Sequence, residues 1–153
     1  MKKAGFIVLA LVMAGVFAFI AYDSSASANG GRPFSTVLLG ANEAPGPGDP
    51  DGSGTAHLTL NPGQGEVCFD ISVTGIVLPG TGAHIHEAPV ATPGPIRVHL
   101  TPPDSTGHSS GCVQDVSSER IMDIMKNPEN YYVNVHNSVY PAGALRGQLS
   151  NHP

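Results

Sequence analysis

Apolar and polar residues alternate with a period of two along much of this chain, and that alternation is the signature of half-buried strands. In Thr55-Ala56-His57-Leu58-Thr59-Leu60 the apolar set is Ala56, Leu58 and Leu60. From Glu66 to Val73 it is Val67, Phe69, Ile71 and Val73, which turns Glu66, Cys68, Asp70 and Ser72 to the other side. Asn61-Pro62-Gly63-Gln64-Gly65 lies between the two runs and reads as a hairpin loop. Further short strands are expected at 37–39, 83–86, 96–100, 132–136 and 144–149, with Gly and Pro in the gaps. One helix is expected: Ser117 and Ser118 can cap its start, Ile121, Met122, Ile124 and Met125 have helical spacing, and Pro128 ends it. The predicted fold class is all-β, an antiparallel β-sandwich or Greek-key barrel with one short inserted helix.

The N-terminus has a different pattern. Met1 to Lys3 are followed by an apolar run from Ala4 to Tyr22 and by Ala26-Ser27-Ala28, small residues of the kind a signal peptidase reads. Residues 1–28 are therefore expected to be a signal peptide or an N-terminal anchor, because the apolar run approaches the ~20 residues that span a bilayer. Residues 29–33 read as a linker and 34–150 as one domain. The expected localisation is secreted or cell envelope, with membrane contact only through residues 4–22 if they are retained.

Composition narrows the classes further. Charged residues are 12% of the chain, with 19 Gly, 14 Pro and no Trp, which excludes a coiled coil or a charge-rich disordered protein. The net charge is −5 and the seven Lys and Arg form no cluster, so no nucleic acid partner is expected. Cys68 and Cys112 are the only cysteines, and in an exported chain they are expected to pair. A thiolate metal site is the rival reading, but this pair lacks the close spacing of zinc sites.

Chemistry is concentrated in the seven histidines. In Gly82-Ala83-His84-Ile85-His86-Glu87 a strand that buries Ile85 sends both imidazoles to the opposite face, ~6.6 Å apart at the backbone. The same parity puts His99, beside Val98 and Leu100, and His136, beside Val133 and Val135, on polar faces, and it adds His57. Imidazoles suit copper or zinc, and three of them make a site. The expected ligands are His84, His86 and His136, with His99 as a further candidate. The alternative is that these rings bond to backbone at a sheet edge. His108 and His152 read as solvated residues in polar segments, and Asp49-Pro50-Asp51-Gly52 as a turn, not a calcium loop, because Leu60 stands where a bidentate Glu is needed. There is no nucleophile elbow or phosphate loop, so no catalytic residue is assigned.

Taken in order, Leu39-Gly40, Glu43-Ala44-Pro45, Gly54-Thr55-Ala56, Ala83-His84-Ile85-His86, Gly94-Pro95, Tyr131-Tyr132-Val133-Asn134-Val135-His136 and Gly143-Ala144-Leu145-Arg146-Gly147-Gln148-Leu149 resemble a CHRD domain, the repeat named after chordin. The resemblance implies an extracellular β-sandwich-type module. Such modules occur in animal chordins, which bind secreted growth factors, and in microbial exported proteins. The chain is expected to bind rather than catalyse, with a metal ion, an envelope or extracellular protein, or a polysaccharide as partner. A fainter similarity is to copper/zinc superoxide dismutase. It would place the metal at His84, His86 and His136 and give Arg146 an anion-steering role, where the structural alternative is a guanidinium bridging loop carbonyls. No His-rich zinc loop lies between His86 and His136, and Arg146 follows His136 closely, both departures from that enzyme's pattern. The expected function is an exported binding module that holds copper or zinc, the alternative a superoxide dismutase-like copper redox enzyme.

Overall fold

The computed structural model describes residues 30–151, so the expected signal or anchor segment and His152 lie outside the described residues. Eight strands form one sheet: β1 (Arg32–Leu39), β2 (Ser53–Asn61), β3 (Glu66–Thr74), β4 (Gly82–Glu87), β5 (Ile96–Leu100), β6 (His108–Val113), β7 (Tyr131–His136) and β8 (Leu145–Gln148). Their order is β5-β4-β7-β8-β1-β2-β3-β6, and each pairing is antiparallel. The outer strands β5 and β6 approach one another, so the sheet is nearly closed on itself. One side of each strand lines the interior: Phe34, Leu38, Ala56, Leu58, Leu60, Val67, Phe69, Ile71, Ile85, Val98, Val133, Val135 and Leu145 are all buried there.

The alternating runs became strands at nearly the expected bounds because each had a full apolar side to bury. β1 starts earlier than expected, at Arg32, inside the proposed linker, where Arg32 and Pro33 pair with Leu60 and Thr59. Strand β6 is the element that the pattern did not reveal. His108-Ser109-Ser110-Gly111-Cys112-Val113 has almost no apolar side, and it is held by pairing with β3 and by the Cys68–Cys112 disulfide at directly opposed positions. His108, read as a solvated residue in a polar segment, therefore lies on a strand, with its Nδ1 3.3 Å from the Ser72 hydroxyl.

The helix α1 (Ser118–Lys126) is capped by Ser117, whose hydroxyl accepts from the Arg120 N–H at 3.3 Å. It buries Ile121 and Ile124 and stops at Asn127, before Pro128. Among the described residues no helix is long and apolar enough to cross a membrane.

The outer face of β4, β7 and β8 is polar in sequence but not open to solvent. Tyr132, Asn134 and Arg146 are 3%, 2% and 1% exposed. The turn after β1 closes over one end of this face, with the Asp49 N–H donating to Ala144 O. The segment between β4 and β5 is tied down over the middle by Arg146, as described below. A second, small polar interior thus lies outside the apolar one.

Candidate metal centre

His84 and His86 face outward from β4 because Ala83 and Ile85 face in. In the cross-strand register Gly82 opposes His136, His84 opposes Asn134 and His86 opposes Tyr132 on β7, while His99 on β5 opposes His84. The three rings of His84, His86 and His136 are mutual neighbours, with centroids 5.5, 5.0 and 6.3 Å apart. Gly82 leaves the room for this. A Cβ there would come within 3.1 Å of the His84 ring and 3.3 Å of the His136 ring.

Hydrogen bonds determine which ring nitrogens are free. His86 Nδ1 lies 2.9 Å from Gly94 O, and His136 Nδ1 lies 3.0 Å from Pro141 O. A carbonyl only accepts, so in each ring Nδ1 carries the proton and Nε2 keeps its lone pair. This backbone-fixed tautomer is the arrangement that metal-ligating histidines commonly have. His86 Nε2 is buried and has no partner. His136 Nε2 lies 3.1 Å from His84 Nδ1, which donates to it.

Those distances are close to what one ion needs. Metal–imidazole bonds of about 2.0–2.1 Å require donor atoms about 2.9–3.4 Å apart at tetrahedral or square angles. His84 Nδ1 and His136 Nε2 already have that spacing, and the ligand atoms of the three histidines lie within 4.8 Å of one another. A shift of about an ångström closes the third side. His84 must pass its Nδ1 proton to Nε2 to ligate, an ordinary tautomer exchange.

The cluster is electrically suited to a cation in place of protons. Burial first, then the imidazoles of His136, His86 and His99, lower the His84 pKa to about 4. His86 and His136 are also lowered, each chiefly by burial. The rings are therefore neutral ligands at neutral pH.

Supporting groups surround this face. The His86 ring stacks on Tyr132, 4.8 Å away and 10° from parallel, and the Arg146 guanidinium lies over the Tyr132 ring, 3.5 Å from its centroid. Arg146 donates to Thr92 O and Pro89 O, each at 2.9 Å, and to Gln148 Oε1 at 3.1 Å, while Gly94 N–H donates to the Tyr132 hydroxyl at 3.2 Å. Arg146 thus pins the same segment whose Gly94 carbonyl fixes the His86 tautomer. Asn134 Nδ2 donates to the Glu43 carboxylate and, at 3.3 Å, to Leu145 O. Burial raises the Glu43 pKa to about 7, against the opposing pull of Arg146 and of its hydrogen bond to the Ala44 backbone.

The profile of the CHRD domain matches residues 34–149. The chain belongs to the CHRD domain family. No curated protein and no solved structure matches it. The family assignment brings a binding-module class.

Of the residues singled out from the sequence, His84, His86 and His136 come together. His99 stands at the rim, exposed, its ring centroid 5.0 Å from that of His84 and outside the group whose ligand atoms converge. His57 lies on β2, well along the strand order from β4. Cys68 and Cys112 also lie near Glu66 with donor atoms close enough for an ion, but both sulfurs are spent in the disulfide. Arg146 is buried with its donors on loop carbonyls, the geometry of the bridging role. Asn134 and Glu43 were not singled out. Asn134 shares strand parity with His136, a signal that was available, whereas Glu43 lies in a turn where no periodicity points to the site.

Proposed function

We propose that this chain is an exported CHRD-domain module of the cell envelope or extracellular space that binds one copper or zinc ion through His84, His86 and His136. The observation that carries this reading is the pair of donor atoms 3.1 Å apart beside a buried, unpartnered His86 Nε2. Three neutral imidazoles without a thiolate or carboxylate favour these two metals over calcium or magnesium, which take oxygen ligands. Export is supported by the disulfide, which persists in oxidising compartments, and by the signal-like N-terminal pattern.

The test is titration of untagged protein with Cu(II) and Zn(II). One equivalent is expected to bind to the wild type and to a His57→Ala control, with binding lost in His84→Ala/His86→Ala. Equal affinity in the wild type and the double variant would refute the site and favour a metal-free module whose histidine face contacts a protein or polysaccharide. The second reading is a superoxide dismutase-like copper enzyme, favoured by the half-buried His84, which leaves one side of the ligand set within reach of solvent. A superoxide assay of the copper-loaded protein separates the two, because turnover would select the enzyme and stoichiometric binding without turnover the module.

A further inference from the structure

We infer that an ion held by the three imidazoles keeps one position for a small protic ligand, water in the first instance, whose O–H is received by Asn134 Oδ1. This inference rests on the three-histidine reading. Asn134 is 2% exposed and sits directly across from His84, on the same face of β7 as Tyr132 and His136. Its amide orientation is determined by chemistry: Nδ2 bonds to Leu145 O, a carbonyl that cannot donate, so nitrogen and oxygen cannot be exchanged. Both Nδ2 bonds, to Leu145 O and to Glu43, lie toward β8. A planar amide then turns Oδ1 the other way, toward β4 and the histidines.

Asn134 Oδ1 is buried and has no hydrogen-bond partner. So is His86 Nε2, on the neighbouring position of the same face. Native proteins leave few such atoms unmet, and two together mark a place meant to be filled. The two have different needs. A lone pair on imidazole nitrogen takes a metal ion, whereas an amide oxygen is a poor ligand for copper or zinc and is better served by a hydrogen-bond donor. Water on the ion supplies that donor. Three protein ligands with one exchangeable position is also the arrangement of zinc sites that act on other molecules, in contrast to the four-ligand sites that only hold a fold together. The exposed His99 beside His84 leaves this side within reach of solvent.

The ligand preference follows. A protic ligand satisfies Asn134 Oδ1, but an aprotic anion such as azide displaces the water and leaves the oxygen unmet. The experiment uses Cu(II)-loaded protein, with bulk-water proton relaxation to detect exchangeable water on the ion and azide titration followed by its charge-transfer absorption. The wild type is expected to relax water and to bind azide weakly. Asn134→Leu is expected to bind azide about fivefold more tightly, the equivalent of one hydrogen bond. Asn134→Ser, too short to reach the ion, is the second variant in case the first does not fold, with the same expected direction. Equal azide affinity in the wild type and a folded variant would overturn the role of Asn134. No water relaxation and no azide binding by the loaded wild type would overturn the open position, leaving a site closed by His99 or by Asn134 itself. If Cu(II) does not bind at all, the three-histidine reading fails first and this inference with it.

Discussion

Acid should remove the metal from this site much less readily than from an ordinary set of three histidines. The perturbation is a change from about pH 7.5 to about pH 5.5, where an imidazole of ordinary pKa, about 6.5, is protonated roughly tenfold over its neutral form. Three such ligands would lose about a thousandfold in metal affinity to competing protons. His84, lowered to about 4 by burial and by the neighbouring imidazoles, is almost wholly neutral at that pH and drops out of the competition. His86 and His136, lowered mainly by burial, should each lose less than tenfold. The expected fall is about a hundredfold at most. Solvent at the half-buried His84 screens part of the repulsion, which moves the result toward that bound. Competition against a chelator of known affinity, in non-coordinating buffers at several pH values, measures this for Cu(II) and Zn(II). A thousandfold loss or more would refute the argument that burial and mutual repulsion suppress protonation here.

Four further outcomes are expected. In the metal-free protein the lowered histidines bind protons more readily when unfolded, so their contribution is present above about pH 6.5 and is lost as pH falls toward 4. Glu43, raised to about 7, acts oppositely: its contribution is present below about pH 4.5 and lost as pH rises through 7. Glu43→Gln should therefore steepen the rise of stability with pH between these limits, which urea midpoints at each pH would reveal. Replacing both Cys68 and Cys112 by Ser opens a loop with a sequence separation of 44 and should destabilise the fold by about 4 kcal/mol in urea unfolding, while leaving metal affinity unchanged. Gly82→Ala puts a methyl group against the His84 and His136 rings and should weaken metal binding by about tenfold, with little change in far-UV circular dichroism. Arg146→Met leaves the Pro89 and Thr92 carbonyls without their donors and should cost about 3 kcal/mol, read as a lowered thermal midpoint.

What the sequence determined by itself was direction. In β4 and β7 the alternation around Ile85 and Val135 decided that His84, His86 and His136 leave the apolar interior on one side, because successive strand residues point to opposite faces. The same rule placed β2, β3, β5 and β8 nearly at their observed bounds, caught only the end of β1, and missed β6, where pairing and a disulfide hold a segment with no apolar side. Only the tertiary structure decided proximity and cover. That β7 lies beside β4, across 52 positions from His84 to His136, depends on which strand edges meet, and no local pattern encodes it. Nor does local pattern tell that the polar face is roofed by the segment Arg146 pins, although that cover orients His86, shields Asn134 and lowers the imidazole pKa values. Strand parity is a property of the backbone, legible residue by residue, whereas burial of a polar face is a property of the packing that the whole chain finds.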